Sequence, residues 1–213
     1  MMELPDTVAP RLNTSTALGK ALVSMFKSIE VELMLEGAGP GSVKVIVFGG
    51  CAVHLYTHHR ISTDVDAEIY CASFRNKLRL QTLLAEFPEQ FFDERSGRVM
   101  ELNYDLQYNT SFGPPHEDYW ERSLPLDEFP AQSALHLHIA APIDIAISKL
   151  ARATDQDVSD IKALLRAGFF VTAELRRLAL QAIDMYVGNK EPPRSILNTI
   201  LHDYLETADG EAF

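Results

Sequence analysis

Two short stretches carry the residue types best suited to chemistry. They are Phe48-Gly49-Gly50 and, after a spacer spanning positions 51–63, Asp64-Val65-Asp66-Ala67. Glycines at the end of a strand let the backbone pass close to a bulky ligand, and a helix that follows points free N–H groups at it. That combination suits a triphosphate. Carboxylates at i and i+2 of a strand project from one face, and two acids so placed repel unless a divalent cation lies between them. Oxygen-only ligands with a phosphate partner favour Mg²⁺, or the similar Mn²⁺. These residues therefore read as a phosphate cradle, Gly49 and Gly50, followed by a metal pair, Asp64 and Asp66.

These residues resemble the DNA-polymerase-β-type nucleotidyltransferase superfamily. Its signature is a hydrophobic residue, Gly, then Gly or Ser, a spacer of about nine to thirteen residues, and Asp-hydrophobic-Asp/Glu-hydrophobic. Arg60-Ile61-Ser62-Thr63 precedes the acids much as an Arg-x-Thr does in bacterial members, with one extra residue between Arg60 and Thr63. A second block runs from Pro142 through Lys149-Leu150-Ala151-Arg152 to Asp157-Val158-Ser159-Asp160-Ile161. It is similar to a segment of the AbiEii/AbiGii-type abortive-infection toxins, the toxin halves of toxin–antitoxin pairs. The resemblance, over roughly 43–165, implies a minimal nucleotidyltransferase fold. It also implies transfer of an NMP to an RNA end, a protein hydroxyl or a small molecule, and an antitoxin as possible partner.

Metal-assisted transfer of this kind calls for a third carboxylate near the pair. Asp105 is the choice, because it shares the polar face of an alternating segment with Glu101 and Asn103; it would also take the acceptor's proton. Thr63 would help cradle the phosphates. Lys149 would meet the β- or γ-phosphate as pyrophosphate leaves, supported by Arg152 on the same helix side. The resemblance further implicates Asp157 and Asp160. Plainer readings stand beside these. Gly49-Gly50 alone fits a tight strand-to-helix turn, Lys149 fits a snorkelling lysine, and Asp157 fits the capping partner of Thr154. A catalytically inactive nucleotide- or partner-binding module of the same fold is the alternative function.

The elements that must position these residues follow from periodicity. Apolar residues from Leu18 to Leu35 predict a helix over 14–36, ended by the glycines of 37–42. Val43–Phe48 reads as a buried strand and Cys51–Tyr56 as a short helix. Val65–Cys71 reads as one strand, 73–86 as a helix, 98–108 as a strand and Leu135–Ile139 as another. Four helices then run from Pro142 to about 153, from Thr154 to Gly168, from Thr172 to 187 and from Pro192 to 206. The expectation is an α+β fold, a small mixed sheet flanked by helices, with a core over 1–141 and a helical region over 142–213 packed on it.

Composition bounds the partners. The 213 residues carry 30 Asp and Glu against 19 Lys and Arg, a net charge of −11. That balance opposes broad nucleic-acid binding, so an RNA acceptor would need a local basic track. Arg75, Lys77 and Arg79 on the 73–86 helix are the candidates, with Lys149, Arg152 and Arg166 further on. Two cysteines, Cys51 and Cys71, read as buried thiols in a reducing compartment. No apolar run approaches a membrane span and no signal peptide is legible at the start, so a cytoplasmic location is expected. His54, His58 and His59 read as loop or substrate-side residues rather than a zinc site.

Overall fold

The computed structural model describes residues 7–71, 74–110, 113 and 115–210, and the side chains of all of these except 74–77 and 205–210. The chain divides into two compact units. One, called here the core unit, comprises Arg11–Asn109 and Trp120–Ala140; the other, the helical unit, comprises Met1–Pro10, Thr110–Tyr119 and Ala141–Phe213. The fold class is α+β, as the periodicities require.

In the core unit, α1 (Ala17–Leu35) begins at Thr16, whose hydroxyl accepts from the Gly19 amide and caps the first turn. Its buried stripe of Leu18, Leu22, Met25, Phe26 and Ile29 packs toward the sheets. β1 (Val43–Val47) is β-branched and almost wholly buried. It pairs antiparallel with β3 (Ala67–Cys71) and parallel with β7 (Leu135–Ile139). β6 (Leu124–Pro125) completes the order β3-β1-β7-β6. Pro125 stands on an edge strand, where its missing N–H costs least. Between β1 and β3 lie α2 (Gly49–Thr57) and β2 (Asp64–Val65). After β3 come α3 (Phe74–Glu86), β4 (Glu89–Asp93) and β5 (Arg98–Tyr104). The last two form a hairpin, and β2 adds to β5 in parallel to give a second sheet, β2-β5-β4.

Several boundaries differ from the sequence expectation. The strand expected over Val65–Cys71 is two strands: β2 pairs with β5, the chain turns at Asp66, and β3 pairs with β1. The strand expected to reach residue 108 stops at Tyr104, because Gln107 N donates to Asp105 Oδ1 and folds the chain into a turn. β4 was not expected at all. Ser73 lies outside the described residues.

The helical unit contains α5 (Pro142–Ser148), α6 (Asp155–Arg166), α7 (Thr172–Met185) and α8 (Glu191–Gly210), while α4 (Tyr119–Arg122) lies where the chain passes between the units. Its core is formed by Ile145, Ile161, Leu164, Leu175, Ile183, Leu197 and Ile200. α5 is shorter than expected and ends before Ala153, which takes a positive φ of 46°. Among the described residues no helix is long and apolar enough to cross a membrane.

Phe26 is fully buried in the middle of α1. Phe26→Ala should cost about 3–5 kcal/mol, from the lost transfer energy plus the cavity, read as a lower midpoint in urea with an unchanged slope.

Candidate active site

β1 ends at Val47, and Phe48 N donates to the Asp66 carbonyl at 2.7 Å, one step past the β1–β3 ladder. The next residue, Gly49, opens α2 with a φ of 60°. A Cβ built on Gly49 would lie 1.7 Å from Asp66 Oδ2. Only glycine satisfies both conditions: it tolerates the left-handed region and leaves room for the carboxylate. The Asp66 side chain therefore sits at the N-terminus of α2. The N-cap residue, Phe48, supplies no side-chain cap, and the partial positive charge of the helix end favours an anion such as the Asp66 carboxylate.

Gly50 serves a second close approach. A Cβ there would meet Arg60 at 2.3 Å and Ser62 Oγ at 2.6 Å. Ser62 also donates to the Asp64 carbonyl at 3.1 Å, and the Cys51 thiol donates to the same oxygen at 3.2 Å. Asp64 is thus fixed through its backbone while its side chain is exposed. Burial, with the Asp66 carboxylate next, pushes the Cys51 thiol up to about 12, so it is a structural donor and not a nucleophile. Cys71 is half-buried, not buried as expected.

Asp64 stands opposite Asn103, and Val65 opposite Tyr104. Asp105 N donates to the Val65 carbonyl at 3.1 Å, which carries the pairing one position further and sets Asp105 alongside Asp66. Tyr104 ties the bend together, since its hydroxyl donates to the Ala67 carbonyl at 3.0 Å. Burial first, then the charges of Glu68, Asp105 and Asp66, push the phenol far up, which keeps it a neutral donor. Thr63 and Asp64 line a cleft of about 320 Å³ with Arg60, Asp93, Arg98 and Met100. Gly49, Gly50, Thr63, Asp64, Asp66 and Asp105 are thus gathered around one strand bend in the core unit. The residues that hold the bend, Tyr104, Ser62 and Arg60, escaped the sequence reading as site residues, although Arg60 lay in the motif before the acids.

Lys149, Arg152, Asp157 and Asp160 belong to the helical unit, where they meet each other. Lys149 is almost fully buried, and its ammonium lies 2.9 Å from both Asp157 Oδ1 and Asp160 Oδ2. Arg152 donates to both oxygens of Asp157 at 2.8 Å. The Thr154 hydroxyl accepts from Asp157 N and donates to Asp157 Oδ2, and the same carboxylate accepts from Thr154 N, closing a capping box on α6. Burial alone would raise the Asp157 carboxyl, but Arg152, Lys149 and Thr154 outweigh it and hold the group well below its ordinary 3.8. The ammonium expected to meet a phosphate has two carboxylates as its partners instead.

His54 is buried and structural, between the Arg60 carbonyl at 2.7 Å and Thr16 Oγ1 at 3.0 Å, not on a substrate side. On α3, Arg79 is bound to Glu36 at 2.6 Å; the side chains of Arg75 and Lys77 lie outside the described residues.

A family described as nucleotidyltransferase of unknown function (DUF6036) matches residues 20–206, which include the whole strand bend and the Lys149 network. The chain belongs to this family. No curated protein and no solved structure matches it. Membership in a nucleotidyltransferase family agrees with the sequence resemblance at the level of the superfamily.

The oxygen chemistry of the bend suits a hard cation. Among the described residues no three His, Cys, Asp or Glu side chains form a ready-made metal cluster. Mg²⁺ is commonly held by one or two carboxylates, with waters and substrate phosphates completing the shell, so a pair such as Asp64 and Asp66 is a sufficient protein share.

Two outcomes follow. Gly49→Ala should lower the thermal midpoint of the protein, because a Cβ there would lie 1.7 Å from Asp66 Oδ2 at a positive φ, read by differential scanning calorimetry. Asp157→Asn should destabilise the protein by about 1.5–3 kcal/mol at pH 7, the cost of losing its charge-assisted bonds, since Lys149 keeps Asp160 and Arg152 is largely exposed. Because the folded carboxyl is depressed, its stabilisation is present above 3.8 and is lost as pH falls through the folded value. The gap to wild type in urea titrations should therefore narrow by about 1 kcal/mol between pH 7 and pH 3.

Proposed function

We propose that the protein is a Mg²⁺-dependent nucleotidyltransferase that moves an NMP from an NTP to an acceptor hydroxyl. The carrying observation is the seat of Asp66 on Gly49 at the N-terminus of α2. A carboxylate that could hold a metal and a helix end that suits phosphate meet at this one approach. Asp64 and Asp66 would hold the cation, with water and substrate phosphates completing its shell and Asp105 acting as the base rather than as a third ligand. Mg²⁺, or Mn²⁺, supplies charge neutralisation and alignment of the phosphates when bound. The residues of the chain do the rest. Gly49 and Gly50 make room for Asp66, Arg60 and Ser62, the phosphates would meet the first amides of α2 beside Asp66, and Thr63 would border them from the cleft. Asp105 accepts the proton of the acceptor hydroxyl as its oxygen bonds to the α-phosphorus and the bond to pyrophosphate breaks.

Lys149 and Arg152 support the reading less directly. Their network holds the end of α5 against the start of α6, and we assign them a positioning role for the helical unit. The resemblance to AbiEii/AbiGii-type toxins supports, as a finer proposal, a toxin restrained by a cognate antitoxin.

Replacing Asp64 and Asp66 together by Ala should reduce transfer of label from α-labelled NTP by ~100-fold or more, with circular dichroism and melting cooperativity retained. EDTA should do the same to the wild type, and Mg²⁺ or Mn²⁺ should restore it. Undiminished transfer in the double variant would remove the assignment.

A further inference from the structure

The site's acceptor side is the face of the β2-β5-β4 sheet that Asp64 shares. Register fixes which side chains stand on it. Asp64 is opposite Asn103, Glu101 is opposite Gln90, and Val99 is opposite Phe92. All six are exposed, and the residues between them on β5, Met100, Leu102 and Tyr104, turn to the other face and are buried or half-buried. Phe92 and Val99 are an apolar cross-strand pair left in solvent, at 53% and 65% exposure. Of these six side chains the charged ones, Asp64 and Glu101, are both carboxylates, and Asn103 Nδ2 donates to Glu101 Oε1 at 3.3 Å.

This surface is poorly made for a phosphate backbone. It is acidic, in a protein of net charge −11, and the basic track expected on α3 has Arg79 engaged by Glu36. It is better made for a cationic, partly apolar chain. From Asn103 to Val99 β5 runs about 13 Å at ~3.3 Å per residue, longer than a lone hydroxyl group needs. An extended polypeptide has the same period, so residues i, i+2 and i+4 of a peptide laid along β5 meet Asp64–Asn103, Glu101 and Phe92–Val99 in turn.

We propose, resting on the nucleotidyl-transfer reading above, that the acceptor is a polypeptide docked on this face. It carries a Ser, Thr or Tyr hydroxyl at the Asp64 end, a Lys or Arg two residues away over Glu101, and an apolar residue four away over Phe92 and Val99. The hydroxyl oxygen forms the new phosphodiester to the α-phosphorus, pyrophosphate departs, and the proton goes to Asp105.

The test uses the full chain with Mg²⁺, α-labelled NTPs and two kinds of acceptor. One is a synthetic peptide set with Ser and Thr centres, Lys or Glu at ±2 and Leu or Asp at ±4; the other is total tRNA. The proposal expects label on the Lys/Leu peptides. Phe92→Ser with Val99→Ser should raise the peptide KM roughly tenfold, whereas Val187→Ser, at a more exposed apolar residue of the helical unit, should leave it unchanged. Glu101→Lys should reverse the preference at ±2 from Lys to Glu, a result that loss of folding cannot produce. Label on tRNA with none on peptides overturns the proposal, as does peptide labelling indifferent to ±2 and ±4. Absence of Mg²⁺-dependent NTP binding by calorimetry is a separate result: it removes the nucleotidyl-transfer reading, and the docking proposal with it.

Discussion

The approach of Asp66 to Gly49 governs the geometry of the core unit. A carboxylate oxygen occupies the space where any other residue would carry its Cβ, so the end of β1, the start of α2 and the turn between β2 and β3 are fixed against one another. The Phe48 amide bonded to the Asp66 carbonyl adds a backbone clamp at the same point. Everything else near the bend is arranged around that contact. Gly50 makes room for Arg60 and Ser62, Cys51 and Ser62 hold the Asp64 carbonyl, and Tyr104 reaches across to Ala67. Cys51, Ser62 and Tyr104 are neutral donors that each meet a backbone carbonyl, so the charge at the bend is carried by the carboxylates and Arg60.

The two units carry their charges differently. In the core unit the acids near the bend stand at or close to the surface. In the helical unit Asp157 and Asp160 are fully buried and balanced by Lys149 and Arg152. Burying charge is costly unless it is paired and hydrogen-bonded, and here every polar atom of Asp157 has a partner. The same residue types thus form a buried lock in one unit and a solvent-accessible set in the other. Their solvation, not their identity, makes the difference.

Much of this was readable from the chain, and the parts that were not share a cause. Gly49, Gly50, Asp64 and Asp66 were legible because local spacing and glycine chemistry define them. The Thr154–Asp157 capping box was legible for the same reason, being complete within four residues. The bend at Asp66 was hidden, since Val65, Ala67 and Ile69 alternate without interruption although their partner strands change. β4 was hidden because Phe91 and Phe92 are adjacent and face opposite sides, which gives no clean period. The partners of Lys149 lie eight and eleven residues on, across a helix break, and only tertiary structure brings them together. Asp105 lies one residue past the end of β5, where one backbone bond to Val65 extends the contact with β2 beyond the ladder.

The helical unit is assembled from three separate lengths of chain. Val8 N bonds to the Gly168 carbonyl, His116 meets Gln181 at 3.3 Å, and Gly113 lies so near Ser148 that a Cβ would come within 2.4 Å of its carbonyl oxygen. Severing the chain after Ala140 would therefore leave the 110–119 segment and the stretch before residue 11 with none of these partners. Genetically, the helical unit cannot be gained, lost or exchanged at a single junction, and the two units are bound to descend together.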